Sequence, residues 1–190
     1  MASLEVKLKS LENPYSNEKY SEYDLWGQIK ISFDDETLTD TQWDIIYFIE
    51  WFYNVHKKLA NEIFPFKLNN SIAETRDLLY SKEDFSNIEE EIRYYENLEN
   101  YFNNHHFKLK GTDTLHFYIG LIKSGYGEIS YIKNQNYYSH AFVMNNFINR
   151  TNEEINRFLH SININNSGLD VFSILKKRIP NSTFVDDSHW

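Results

Sequence analysis

The side chains in this 190-residue sequence best equipped for chemistry are its histidines and carboxylates. His105, His106, His116 and His140 fall in or beside a stretch rich in Tyr, Phe and Ile. A metal site would need several of them to converge. Neighbouring residues on a strand point to opposite faces, which separates His105 from His106 in an extended segment. No H-E-x-x-H or comparable ligand spacing occurs. Cysteine is absent, which removes thiolate zinc sites, disulfides and a cysteine nucleophile. Neither a metal nor an organic cofactor is expected; the His105, His106 and His116 cluster is where a metal would have to go. Gly120, Gly125 and Gly127 resemble a phosphate loop only superficially, because the segment after them reads as a strand and offers no helix N-terminus. They read instead as hairpin positions. There is no G-x-S-x-G elbow. His56 falls on the apolar face of a helical pattern, the place of a hydrogen-bonded core histidine, and Glu50 on a solvated helix side. No catalytic residue is assigned, and the chain is not expected to be an enzyme.

Charge is the stronger signal. The net charge of -9 and pI near 5.2 argue against nucleic-acid binding through phosphate neutralisation, which needs clustered Lys and Arg. The same charge keeps a protein soluble or attracts a basic partner. Between Tyr80 and Asn104 the acids Glu83, Asp84, Glu89, Glu90, Glu91, Glu96 and Glu99 face only Lys82 and Arg93; Asp34, Asp35 and Glu36 form a second acidic group. Hydrophobic residues at 41% and aromatics at 17% suffice for a core despite a mean hydropathy of -0.60. The N-terminus lacks the apolar core of a signal peptide, and no run approaches the ~18 apolar residues of a membrane span. A single cytoplasmic domain over residues 1–190, with a mobile tail at 182–190, is expected.

The elements that must position these groups can be read from periodicity. Leu4, Val6 and Leu8 alternate with polar residues as in a half-buried strand, and Leu25 to Phe33 does the same. Asp34–Glu36 reads as an acidic turn into one long helix over about Thr41 to Ala60, capped by Thr39 or Asp40 and stopped by Pro65. Ile45, Phe48, Ile49, Phe52, Val55, Leu59 and Ile63 form its inward stripe. Trp43, Tyr47 and Trp51 recur every four residues on the other face. They are either a second buried face or an aromatic strip for a partner. Ser71 and Glu74 have capping-box spacing, opening a helix to about Tyr80. Phe85, Ile88, Ile92, Tyr95, Leu98 and Phe102 give another amphipathic helix, with Glu91 and Glu99 in or beside its apolar arc. His106–Lys110, Leu115–Lys123, Tyr126–Lys133 and Tyr137–Val143 read as an antiparallel meander, since their connections are too short for parallel crossovers. Thr151 and Glu154 repeat the capping-box spacing, opening a helix through about His160; Val171 to Lys177 could form a last one. No internal repeat is evident. The fold class is α+β: an antiparallel sheet packed against several helices.

With strands, a long aromatic helix, an acidic helix, a meander containing Gly127-Glu128-Ile129-Ser130-Tyr131 and a closing helix, the chain resembles the small immunity proteins of contact-dependent growth inhibition and related polymorphic toxin systems in bacteria. The resemblance implies a cytosolic inhibitor that binds the toxic C-terminal domain of a delivered effector, often a nuclease, and blocks its active site or substrate entry. A monomer in a 1:1 complex, without nucleic acid or membrane, is the expected state. The residues expected to meet the toxin are Asp34, Asp35, Glu36, Trp43, Tyr47, Trp51, Glu89, Glu90 and Glu96. Two other classes stay open: an acidic nucleic-acid mimic of phage or plasmid origin, and a small cytosolic enzyme.

Overall fold

The computed structural model describes residues 2–14, 25–109, 112–165 and 175–177. In chain order they form β1 (Leu4–Ser10), β2 (Trp26–Phe33), β3 (Glu36–Asp44), α1 (Ile45–Asn61), α2 (Ile72–Tyr80), α3 (Ile88–His105), β4 (His106–Phe107), β5 (Phe117–Lys123), β6 (Tyr126–Lys133), β7 (Asn136–Val143) and α4 (Met144–Asn165). The class is α+β, with one sheet of order β1-β2-β3 and one of order β4-β5-β6-β7. The expected turns at Gly111 and Gly168, most of the one beginning at Asn13, residues 171–174 of the helix expected at Val171–Lys177 and the tail lie outside the described residues, while Leu175 to Lys177 are helical. The described residues gather into two compact units, one built on Val55–Ile148 and the other on Glu5–Asn54 with the chain from Asn149.

In the unit holding Glu5–Asn54, the long helix is shorter than its periodicity suggests. Asp34, at φ 48, turns the chain into a hairpin, and Glu36 to Asp44 then pairs antiparallel along β2. The β-branched Thr37, Thr39 and Thr41 suit that ladder, in which Thr41 lies opposite Ile29 and Thr39 opposite Ile31. Asp34–Glu36 therefore leads into a strand, and Thr39 and Asp40 are not caps. The cap is Asp44, whose buried carboxylate accepts the amides of Ile46 at 3.0 Å and Leu25 at 3.2 Å. Trp43 consequently leaves the helix; it lies on β3 with its ring centroid 5.9 Å from that of Trp26. The inward stripe from Ile45 to Leu59 is buried as its spacing requires, whereas Ile63, beyond the helix end, is 51% exposed. His56 is half-buried.

In the unit built on Val55–Ile148, β5, β6 and β7 form the expected antiparallel meander, with β4 reduced to two residues pairing Tyr118 and Phe117. Gly125, at φ 79, makes the β5–β6 turn. Ser71 caps α2 by accepting the Glu74 amide at 3.1 Å. The stripe expected along α3 is only half realised: Leu98, Tyr101, Phe102 and His105 are buried, while Ile88 and Ile92 are 65% and 51% exposed. The expected cap at Thr151 is absent because α4 runs unbroken from Met144; Thr151 and Glu154 are buried inside it.

Repetition, unseen in the residues, is plain in the backbone. β2-turn-β3-α1 and β6-turn-β7-α4 are the same device, each hairpin leading directly into a helix. The first helical amide donates back to the residue just before the hairpin, Ile45 to the Leu25 carbonyl at 3.0 Å and Met144 to the Gly125 carbonyl at 3.1 Å. Gly27 and Gly127 occupy equivalent places. A Cβ at Gly27 would overlap the Lys9 carbonyl oxygen and the Ile45 side chain, and one at Gly127 would lie 2.6 Å from Met144 Cε and 2.9 Å from Phe142 Cζ. Both strands need glycine because a neighbouring strand residue, Lys9 of β1 or Phe142 of β7, and the first residue of the following helix together fill the space above them.

Candidate functional site

The polar groups closest to chemistry in residue type are held in structural duties. Glu128 on β6 is buried and accepts the Ile72 amide at 2.7 Å, while Ser130, two residues on, accepts the Ala73 amide at 3.0 Å. Together with Ser71 they satisfy three of the amides a helix leaves open at its N-terminus, where a negative charge is favoured. Burial raises the Glu128 carboxyl above its ordinary value, against the lowering pull of its bonds to Ile72 and Ser130. The E-x-S spacing on one strand is the signal that could have revealed this arrangement, since residues two apart share a face.

The histidines divide. His105 ends α3, stacked on Tyr101 at 3.8 Å between centroids and bonded through Nδ1 to the Tyr101 carbonyl at 2.9 Å. His106 and His116 meet at 3.0 Å between Nε2 and Nδ1, with His106 also stacked on Tyr118. Burial, then His116, Arg76 and Lys108, push His106 down to about 4. The hydrogen bond between the two rings occupies one of the two lone pairs that a pair of neutral imidazoles could offer a metal. Among the described residues, no three His, Asp or Glu side chains are placed to hold an ion together.

The residues expected to meet a partner fall into both units. Asp34 and Asp35 are the exposed β2–β3 turn and Glu36 opens β3. Trp43 is half-buried on β3; Tyr47, 50% exposed, and half-buried Trp51 lie one turn apart on α1. The three aromatics are thus not one strip, and Trp51 packs 6.0 Å from Phe48. Glu89 and Glu96 are exposed on α3. Glu90 differs, because it accepts both the Ser86 amide at 3.0 Å and the Ser86 hydroxyl. Those bonds hold its carboxyl below the ordinary range. Asn87 caps the helix by accepting the Glu90 amide at 2.9 Å. The groove of about 450 Å³ beside this turn is lined by Asn87, Glu90, Arg93, Tyr94 and Asn97.

Periodicity missed that the front half of α3 stands clear of the core. Ile88 and Ile92, one turn apart, are exposed beside exposed Glu89, Glu96 and Glu99. The helix is anchored by its rear half and by a satellite of rings, Tyr80, Phe85, Tyr94 and Tyr95, with Tyr94 Oη donating to the Leu79 carbonyl at 3.0 Å. An acidic helical surface with two aliphatic side chains can dock on a basic, partly apolar surface.

Among family models, curated proteins and solved structures, none matches this chain. No helix among the described residues is long and apolar enough to cross a membrane.

Proposed function

We propose that this chain is an immunity protein: a cytoplasmic, cofactor-free inhibitor that binds the toxic C-terminal domain of a delivered bacterial toxin, a nuclease, one to one and blocks its active site. The observation that carries the reading is the front half of α3, where Ile88 and Ile92 are 65% and 51% exposed among Glu89, Glu96 and Glu99. Soluble proteins leave isolated apolar residues on the surface freely. Two bulky aliphatics one turn apart, bordered by three acids and by one cation, Arg93, which pairs with Glu89 at 3.8 Å, match the apolar centre and charged rim of a protein interface. A nuclease cleft is basic because it binds phosphates, so an acidic helix is steered toward it and then held by the aliphatic contact. Asp34, Asp35, Glu36 and Tyr47 belong to the other unit.

The test is co-expression with the C-terminal domain of a large exported protein encoded beside this chain. Survival of the cells and a 1:1 complex by titration calorimetry are expected. Reversing Glu89, Glu96 and Glu99 to Lys together should slow association roughly tenfold at low salt with an unchanged melting temperature. Glu90 is left alone because of its bonds to Ser86. Cell death despite soluble inhibitor, with no heat of binding, overturns the reading.

A further inference from the structure

A strand at the edge of a sheet offers unpaired amides and carbonyls to any passing chain, and proteins guard against this with charge, brevity or a cover. Three of the four edges here are guarded. β4 is two residues long. β3 carries Glu36, Asp40 and Asp44. β1 is clamped from α4: the Leu8 amide donates to Glu154 Oε1 at 2.6 Å, and Arg157 Nη2 donates to the Leu8 carbonyl at 3.3 Å and to Glu154 at 2.6 Å.

Among the described residues, β7 has none of these. It is eight residues long, NYYSHAFV, with no acidic or basic side chain other than His140 and no proline. Its pairing with β6 is regular from Tyr126↔Val143 to Lys133↔Asn136, without a bulge. It lies last in its sheet, and Asn136, Tyr137, Tyr138, Ser139 and Ala141 are all exposed.

We infer that β7 is a strand-addition site, taking an extended segment of the protein partner that carries a Lys or Arg on the side facing α2. The inference rests on the proposed inhibitor function for its partner and on the sheet alone for its mode. Two observations choose the occupant. Apolar area is short: Tyr126, Ile132, Tyr137 and Tyr138 are 37–45% exposed, on the order of 300 Å² in all, against the roughly 800 Å² per side of a stable interface. Main-chain pairing must therefore carry the contact, as it does when a peptide extends a sheet. Charge selects the side chains. Ser139 lies opposite Ser130, whose hydroxyl faces α2, and Tyr137 on the same face donates to Asp77 Oδ2 at 3.1 Å. Glu74 and Asp77 of α2 thus border the open edge, with Arg76 as the cation between them in sequence, holding Asp77 Oδ1 at 2.8 Å. A second copy would bring another net charge of -9; a cationic segment meets complementary charge.

The experiment uses the full chain and the purified C-terminal domain of the neighbouring exported protein. Exposed Ser139 is replaced by Lys and, separately, by Glu, with melting temperature as the folding control. Expected are at least a roughly tenfold weaker Kd for Ser139→Lys, little change for Ser139→Glu, and slowed amide exchange across Tyr137–Ala141 in the wild-type complex. A wild-type complex whose Kd is equal for both variants, or whose β7 amides exchange as in the free protein, overturns this inference and leaves the inhibitor reading intact. Absence of any complex overturns both. A concentration-dependent dimer of the free chain that Ser139→Lys abolishes assigns the edge to a second copy and overturns the cationic partner.

Discussion

The hairpin-helix modules β2-β3-α1 and β6-β7-α4 solve one backbone problem with different side chains. Each carries glycine where the first helical residue packs against the strand, and each returns its first helical amide to the residue before the hairpin. Their surroundings then diverge. On β2 the residues after glycine are Gln28 and Lys30; on β6 the same places hold Glu128 and Ser130, which reach the open amides of α2. The outer strand β3 is studded with acids, whereas β7 is uncharged apart from His140. A duplicated backbone thus leaves one copy closed at its edge and the other open, so the scaffold constrains the core positions while the edge is free to acquire a task.

The largest test of this comparison is Phe52→Ala in α1. Phe52 is fully buried and packs 6.5 Å from Phe48, so emptying its site should cost about 3–5 kcal/mol in denaturant melts. A loss under about 1 kcal/mol would remove α1 from the core. Next come the paired glycines. Gly27→Ala drives a methyl into a backbone carbonyl and should cost about 3 kcal/mol, while Gly127→Ala meets the flexible ends of Met144 and Phe142 and should cost about 1 kcal/mol. Equal costs would break the view that one copy is backed by main chain and the other by side chains.

The smallest effect separates the sheets by pH. His106 holds its proton more weakly folded than unfolded, about 4 against 6.5, and His105 and His116 shift the same way. Their stabilisation is whole above about pH 6.5 and is lost as pH falls toward 4. Glu128, raised by burial, has the opposite sign: its contribution is whole at low pH and fades as it ionises. Urea midpoints should therefore fall between about pH 7 and 4, less steeply in His106→Gln. Identical slopes would show that the ring pair does not couple to folding.

Much of the fold was legible in local pattern. The meander strands, the Ser71 cap and the inward stripe of α1 all rest on spacing within a few residues. Failures came where a distant partner overrode a local signal. Trp43, Tyr47 and Trp51 keep helical spacing by coincidence, because Trp43 is pulled into a ladder with Gly27. Thr151 and Glu154 imitate a cap, but Glu154 faces β1. Ile88 and Ile92 complete an amphipathic stripe that no described residue covers along its front half, so periodicity alone placed in the core two side chains that stand exposed. Of the expected contact residues, Glu89 and Glu96 could be placed on a helix from sequence; the structural duty of Glu90 depends on Ser86, whose place before the helix spacing does not fix.

The Glu154–Arg157 clamp on Leu8 also sets an order in time. The Leu8 amide waits for a carboxylate 146 residues later in the chain. At roughly 5–20 residues per second, synthesis leaves that stretch of β1 open for on the order of 10 s. Burial of the Glu154 side chain would favour its neutral form, yet Arg157 and the Leu8 amide hold it ionised and below the ordinary carboxylate range, so the clamp is charged when it arrives. Until then the Leu8 amide and carbonyl lack their α4 partners, and a ribosome-bound fragment ending before residue 150 should crosslink to chaperones more than one that has emerged past Arg157.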